Sequence, residues 1–192
     1  MLRGDAHITE ATYIHNSGLR VVPAGLSVDD LKETSPHLVK DALQGTMEDS
    51  DIMLIDSAAG LGSESVHAIE ASDELLIVTN PNLPAVTDAL KTANLAEEAG
   101  THVLGVVLNR VEDEDHELSM EEVEEMIGHP VVSKIPEHRV MKDAVSSKTP
   151  VIHQNPDHHV SDRFRQLAAD VAGIEYEPPE RGLFARLRRM LR

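Results

Sequence analysis

Polar side chains follow two apolar runs of the chain, and their types would suit the binding of a nucleotide. Asp56 comes directly after Ile52–Ile55, and Asn109 comes directly after Val103–Leu108. A carboxylate at the end of a strand can hold Mg²⁺, directly or through water. An amide side chain offers both a donor and an acceptor, which matches the edge of an adenine base. Each residue would equally serve as an ordinary turn residue, so neither pattern decides the chemistry alone.

Two further segments could contribute to the same site. Pro136 and Glu137 follow the apolar run Val131–Ile135, where the backbone after the proline could line a pocket for a base. The small residues Ala58–Gly60, just after the first carboxylate, would allow a loop to approach a phosphate closely. The alternative for the proline segment is an ordinary turn from a strand into a helix.

Alternating strands and helices would position these residues. Continuous apolar runs predict strands, most of them buried on both faces, and apolar stripes at helical spacing predict helices between them. The predicted strands are Leu19–Val22, Ile52–Ile55, Leu75–Thr79, Val103–Leu108 and Val131–Ile135. The predicted helices are Ser63–Ala71, Leu83–Ala99, Met120–Ile127, Arg139–Ser147 and Ser161–Ala172. This order predicts an α/β fold with a mostly parallel sheet and helices on both faces, and ligands bind such sheets at the carboxyl ends of the strands.

Composition excludes several kinds of site. The chain has 192 residues and no cysteine, which excludes disulfides, thiolate zinc sites, cysteine nucleophiles and cysteine-held iron–sulfur clusters. Aromatic residues make up 2% of the chain, too few for the stacking platforms that bind single-stranded nucleic acid. The formal net charge of −17 would repel DNA from most of the surface. We therefore expect no nucleic-acid partner.

The acidic charge is spread along the chain, with 34 Asp and Glu against 17 Lys and Arg. Such a distribution favours a halophilic cytoplasm, where dense carboxylates keep a protein hydrated; the alternative is an ordinary acidic protein of a mesophile. The acid-rich segment 112–125 then belongs to a solvated surface. We expect His153, His158 and His159 to be loop histidines rather than metal ligands, because no carboxylates accompany them at ligand spacing.

The segments are far more specific in this order than any one of them alone. They comprise Leu19–Ser27, Asp56–Gly60, Thr79–Pro81, Asn109-Arg110, Ile135–His138 and Pro150-Val151. On these segments, which extend over nearly the whole chain, the sequence resembles the MinD/ParA family of deviant-Walker P-loop ATPases. The archaeal MinD branch, in a haloarchaeal type, is the most similar. Ala58 stands where the family usually has Pro, and His138 stands where it usually has Asp.

The resemblance implies a role for each matching residue. Asp56 would hold Mg²⁺, directly or through water, and would organise the water around it. Gly60 would belong to the switch loop. Asn109 would contact the adenine edge, and Arg110 would cover the base. The base pocket would be lined by Pro136, Glu137 and Val140. The cofactors of the intact family protein would be ATP and Mg²⁺.

The phosphate-binding loop of the family is absent from this sequence. No G-x-x-x-x-G-K-[ST] occurs, and Gly60 and Gly62 are followed by Ser63-Glu64 rather than Gly-Lys. The chain therefore resembles the C-terminal two-thirds of the family fold, incomplete at its N-terminus, and we expect the native protein to start upstream of Met1. The strand that feeds the missing loop would lie between the predicted strands Ile52–Ile55 and Leu75–Thr79. Nucleotide binding by the chain alone would lack this phosphate cradle.

The end of the chain predicts a basic amphipathic helix. We divide the sequence into an α/β domain at 1–173, a proline-containing linker at 174–180 and a helix at 181–192. One helix face would carry Leu183, Phe184, Leu187, Met190 and Leu191, flanked by Arg186, Arg188 and Arg189. This pattern is typical of an interfacial anchor on anionic lipid, and it resembles the membrane-targeting sequence of MinD proteins. The alternative is a helix docked on the acidic body of the same chain.

The resemblance implies an ATPase that positions cell-division or other polar structures. ATP would drive homodimerisation, the paired C-terminal helices would hold the membrane, and hydrolysis would release it. The location would be cytoplasmic, peripheral on the inner face of the cell membrane, with an unidentified protein activator or cargo. The alternative is a non-hydrolytic, membrane-associated scaffold that keeps the family fold. DNA-segregating relatives would need a basic face, and iron–sulfur carrier relatives use cysteines, so both are disfavoured.

Overall fold

Branched apolar residues form the strands that carry the site. The computed structural model describes residues 12–16, 18–23, 50–57, 60 and 62–178. Near the start, strands β1 (Tyr13–Ile14) and β2 (Arg20–Val21) form a short antiparallel pair. The second of these strands lies within the predicted strand Leu19–Val22 and is shorter than it.

The remaining elements alternate along residues 62–178. The strands are β3 (Glu74–Thr79), β4 (His102–Val111) and β5 (Val131–Pro136). The helices are α1 (Ser63–Ala71), α2 (Leu83–Ala99), α3 (Met120–Ile127), α4 (Arg139–Ser146), α5 (Val151–Gln154) and α6 (His159–Ala172). Strands β3, β4 and β5 form a parallel sheet in that order, so β4 is central. The predicted α/β class, with a parallel sheet flanked by helices, is confirmed.

The main core joins the sheet to helices α1, α2 and α3. Val86 of α2, Val106 and Leu108 of β4 and Val123 of α3 are almost completely buried together. Helix α2 contributes alanines at the contact, and these small side chains let it pack closely against β3 and β4. This packing fixes the strand ends from which the candidate site is built.

A second, smaller apolar cluster joins helices α4, α5 and α6. It consists of Ala144, Val151 and Val160, with Val140 and Phe164 packed against them. The short helix α5 was not predicted, and α6 begins at His159 rather than at Ser161. Histidine side chains cap the longer helices, because Nδ1 of His138 accepts from the Val140 amide and Nδ1 of His158 accepts from the Val160 amide.

Two predictions about buried strands are wrong. Residues 52–57 have no regular secondary structure, and Ile52, Leu54 and Ile55 are exposed. A strand is stable only when its backbone groups find partners, and none of the described strands pairs with this segment. Val78 is likewise exposed, although it lies within β3.

No helix among the described residues is both long and apolar enough to cross a membrane. The predicted amphipathic helix 181–192 lies outside the described residues. The linker 174–180 is described as far as residue 178, and there it has no regular secondary structure.

Candidate functional site

The carboxyl ends of the three parallel strands meet at one edge of the sheet. Hydrogen bonds across this edge hold the ends together. The Glu137 amide donates to the carbonyl of Val111 over 2.8 Å, joining the ends of β5 and β4. The Leu118 amide donates to the carbonyl of Pro81 over 2.9 Å, joining the loop after β4 to the segment after β3. The segments that the sequence predicts to carry the base pocket are therefore neighbours in space.

Arg110 interrupts the regular ladder between β4 and β5. Asn109 pairs with Ile135 and Val111 pairs with Pro136, so Arg110 has no partner in the ladder and forms a bulge. Its φ of 58° lies in the left-handed region, which residues other than glycine adopt at a cost of about 1–2 kcal/mol. The bulge directs the Arg110 side chain out of the strand, and it is largely exposed. Asn109, the residue before it, is half-buried.

Glu137 lies between two cations at this edge. Its Oε2 accepts from Nε of Arg110 at 3.0 Å, and its Oε1 lies 2.9 Å from Nζ of Lys142 on helix α4. The Glu137 side chain is 13% exposed. Hydrogen bonds from Lys142 first, and then from Arg110, lower the pKa of Glu137 below its usual value. The carboxylate therefore stays ionised under ordinary conditions.

A pocket of about 260 Å³ opens beside Arg110, between the ends of β3 and β4. It is lined by Asn80, Pro81, Asn82, Arg110, Glu112, His116 and Glu117. Sequence reasoning marked Thr79–Pro81 as part of the family pattern, but it missed Asn82, His116 and Glu117. Asn82 also caps α2, because its side chain accepts from the Ala85 amide. An asparagine before an apolar, alanine-rich helix could have indicated that cap.

The loop after β4 folds back on its own carboxylate. Glu117 accepts hydrogen bonds from the amides of Glu112 and Asp113, the shorter at 2.8 Å. Asp113 has a positive φ of 58°, and its carboxylate lies 3.6 Å from Nζ of Lys134 on β5. Most acidic residues of the segment 112–125 are exposed, as predicted for a solvated surface, and backbone amides organise part of its loop.

The other predicted site residues lie in different surroundings. Asp56 and Gly60 are exposed, and Asp56 is in the irregular segment 52–57 rather than at the end of a strand. Pro136 ends β5 and is half-buried beside Glu137. Val140 is half-buried and packs against the α4–α5–α6 cluster. The structure therefore brings Asn109, Arg110, Pro136 and Glu137 to one edge, whereas Asp56 and Gly60 belong to a separate segment.

A metal ion bound by the protein alone would need several ligand side chains close together. Within the described part of the chain, no group of three or more His, Cys, Asp or Glu side chains is arranged to hold a metal ion. His158 and His159 contact His138, at ring-centroid distances of 4.5 and 5.6 Å. The prediction of loop histidines is wrong for His153, which lies in α5, and for His159, which begins α6. A single exposed carboxylate such as Asp56 fits Mg²⁺ only when nucleotide phosphates and water supply the other ligands, which is the ordinary mode for this ion.

The predicted membrane residues fall outside the described part of the chain. They are Leu183, Phe184, Leu187, Met190 and Leu191 with Arg186, Arg188 and Arg189. Their helical face and their contact with lipid remain predictions from the sequence.

Comparison with known proteins places this architecture in a family. The family model of ParA, the NUBPL iron-transfer P-loop NTPases, matches residues 35–172. An uncharacterised ATP-binding protein of Methanocaldococcus jannaschii is 32% identical over 177 residues. That alignment covers 92% of this chain and 67% of the relative, so the chain spans about two thirds of its length.

Two solved structures have the same fold. The cell division ATPase MinD of Pyrococcus furiosus has a TM-score of 0.81 and 26% identity, covering 90% of this chain and 73% of that one. The septum site-determining protein MinD of Pyrococcus horikoshii, solved with Mg-ADP, has a TM-score of 0.80 and 25% identity, covering 88% of this chain and 70% of that one. With the match to the family model, these likenesses establish that the chain belongs to the ParA/MinD family of P-loop NTPases.

Proposed function

We propose that this chain forms the base-pocket and switch part of a MinD-like ATPase that positions cell-division or other polar structures. The observation that supports it most is the single edge at which Asn109, the Arg110 bulge, Pro136 and Glu137 meet. Polar groups on otherwise apolar parallel strands are placed there, where α/β sheets bind ligands. The likeness to MinD structures, one of them solved with Mg-ADP, supports the same function.

The residues at this edge would divide the recognition of ATP. Asn109 offers an amide donor and an acceptor to the adenine edge. Arg110 presents a planar guanidinium that can stack on the base, and Pro136 and Val140 offer apolar surface beside it. Glu137 would act through Arg110 rather than on the base. When bound, Mg²⁺ would supply charge neutralisation for the phosphates, and Asp56 would hold it, directly or through water, with Gly60 allowing the switch loop to approach.

Dimerisation and membrane association complete the proposed cycle. ATP-bound chains would pair, and the two C-terminal helices would then bind the inner face of the cell membrane together. Each helix binds weakly alone, so pairing raises the avidity and couples the membrane to the nucleotide state. The acidic surface would keep the protein hydrated in a halophilic cytoplasm, which calls for assays in both low and high KCl.

Asp56 provides the first test of the hydrolytic function. In native protein purified from its source cells, Asp56→Ala should reduce ATP hydrolysis by at least about 100-fold, as removal of a charge-stabilising group does. Asp51→Ala is the matched control, because Asp51 is an exposed aspartate of the same segment. Phosphate release measures both. Equal rates in the two variants would refute the role of Asp56.

The intact mass and N-terminal sequence of the native protein separate the two candidate functions. The 192-residue chain has a mass of 21.0 kDa and contains no G-x-x-x-x-G-K-[ST]. A larger native protein, with a Gly-Lys-rich loop in the added segment, would support the ATPase. A native start at Met1 would leave no phosphate cradle and would support the non-hydrolytic, membrane-associated scaffold instead.

Leu187 provides the test of membrane association. Leu187→Glu should abolish sedimentation with vesicles that contain anionic lipid, because a charge in the centre of the apolar face opposes burial in the interface. Ile174→Glu is the matched control, since Ile174 is an exposed apolar residue outside the proposed helix. Unchanged binding by Leu187→Glu would favour the helix docked on the acidic body of the chain.

A further inference from the structure

Two basic side chains, one on a strand and one on a helix, contact the Glu137 carboxylate, and each contacts a different oxygen. Arg110, from the end of β4, contacts Oε2, whereas Lys142, from helix α4, contacts Oε1. The two bonds hold the two oxygens of the carboxylate in different directions, one towards β4 and the other towards α4. The set carries one net positive charge in a chain whose net charge is −17.

Arg110 depends on this carboxylate for its direction. Glu137 is its ion-pair partner within the described part of the chain, and the bond uses only Nε. A hydrogen bond at Nε restricts the rotation of the guanidinium and leaves its terminal nitrogens outside this ion pair. The left-handed bulge starts the side chain in this direction, but a 63% exposed arginine would otherwise sample many rotamers.

We propose that Lys142 is a positioning residue of the base pocket, which orients Glu137 so that Glu137 holds the Arg110 guanidinium in place to cover the base. This inference rests on the proposed nucleotide site. Lys142 itself is 70% exposed and would not touch the base. Its contribution is to restrict the Glu137 carboxylate and to connect the pocket to helix α4.

The direction of Arg110 can be measured without any ligand. The ¹H–¹⁵N resonance of Arg110 Nε, assigned by its loss in Arg110→Lys, should be sharp in the wild type and broadened by exchange in Lys142→Ala. Lys142→Arg should restore it, because arginine can donate to the same oxygen. Lys91→Ala is the matched control, since Lys91 forms an exposed ion pair of 2.8 Å with Asp88 on helix α2, outside the site.

The same resonance reports the titration of Glu137. Lys142 is the largest cause of the lowered pKa of Glu137, so its removal should bring that pKa closer to the usual value. The resonance should therefore be lost at a higher pH in Lys142→Ala than in the wild type. Salt at 1 M, where the Debye length is about 3 Å, should reduce the difference between the two proteins.

The affinity for Mg-ADP tests whether the Lys142–Glu137–Arg110 contacts contribute to nucleotide binding. Calorimetry should give a dissociation constant about fivefold higher for Lys142→Ala, which corresponds to one lost exposed ion pair. Lys142→Arg should recover most of the affinity, and Lys91→Ala should bind as the wild type does.

The outcomes separate the inference from the proposed function. A wild type that binds no Mg-ADP would refute nucleotide binding by this chain, while the Arg110 resonance would still decide whether Lys142 positions Arg110. A wild type that binds, with equal affinity in Lys142→Ala, would refute the role of Lys142 and leave the nucleotide site standing. A sharp Arg110 resonance in Lys142→Ala would overturn the inference whatever the affinities are.

Discussion

Two apolar runs of similar composition lie in opposite surroundings in this molecule. Val103–Leu108 lies within the central strand of the sheet, and Leu108 is 1% exposed. Ile52–Ile55 has no regular secondary structure, and Leu54 is 83% exposed. Both runs predict buried strands from the sequence, and both are followed by a polar residue that the family pattern assigns to the site.

The difference between the runs lies in their neighbours. Strand β4 pairs with β3 on one side and β5 on the other, so its backbone groups are satisfied and its side chains meet helices. None of the described strands pairs with residues 52–55. Burial of a leucine contributes about 1.5–3 kcal/mol, but only where other elements cover it. An apolar run therefore specifies a strand only together with the strands that flank it.

Replacing one leucine in each run gives the largest expected difference. Leu108→Ala should lower the free energy of unfolding by about 2–5 kcal/mol, because it leaves a cavity in the main core. Leu54→Ala should change it by less than about 0.5 kcal/mol, because that side chain is already exposed. Urea unfolding followed by circular dichroism measures both variants.

If Leu54→Ala lowered the free energy of unfolding as much as Leu108→Ala, the contrast between the two runs would be wrong. It would mean that residues 52–55 are covered in solution, by another segment or another copy of the chain. Repeating the measurement at several protein concentrations separates these two cases, since only association depends on concentration.

Substitutions at two glycines, one in β4 and one near the exposed run, should give a smaller difference in unfolding free energy. Gly105 in β4 has a φ of 148°, and an added Cβ would lie 2.5 Å from Cγ1 of Val132 and 2.8 Å from the carbonyl oxygen of Pro130. Gly105→Ala should therefore cost about 1–3 kcal/mol of unfolding free energy through overpacking. Gly62, the N-cap of α1, has open space around it, so Gly62→Ala should cost at most about 1 kcal/mol, through the poorer cap alone.

A second substitution tests the cause of the Gly105 effect. Val132→Ala removes Cγ1 but not the backbone oxygen of Pro130, so it should relieve only part of the cost of Gly105→Ala. Thermal unfolding of the double variant, compared with both single variants, measures this coupling. Full additivity would show that the cost comes from backbone strain or from the Pro130 oxygen rather than from the Val132 side chain.

Sequence patterns predicted the strands and helices correctly where the apolar face of the element is covered by other elements. The runs within β3 and β5 and most of the helices between the strands were predicted almost to their ends, because each has a covered face. Strand β4 extends to Val111, so Asn109 and Arg110 lie inside it rather than after it, as the sequence had predicted. The Arg110 bulge could not be predicted, since a shift in strand register leaves no trace in an apolar pattern. Lys142 was missed for a related reason: only the fold brings helix α4 back to the Glu137 carboxylate.

In the exposed segment 52–57, the sequence pattern alone did not predict the structure correctly. Its burial depends on a flanking strand, and a local pattern carries no information about whether that strand is present. The helix α5 was missed because its four residues are too few to show a helical period.

The carboxylates near the two runs give the smallest expected difference, and it depends on pH. Interaction with Lys142 and Arg110 lowers the pKa of Glu137 in the folded state, whereas in the unfolded chain it keeps its usual value near 4.5. The ion pairs therefore stabilise the fold above that unfolded value, and this contribution is lost as the pH falls through the lower folded value. Glu137→Gln should lower the free energy of unfolding by up to about 1 kcal/mol near neutral pH and by almost nothing in acid.

Asp56→Asn, at the exposed run, should change the free energy of unfolding little, because the side chain is exposed. Urea unfolding of both variants across this pH range measures the contrast, and a cost for Glu137→Gln that stayed constant with pH would show that Glu137 contributes by packing rather than by charge.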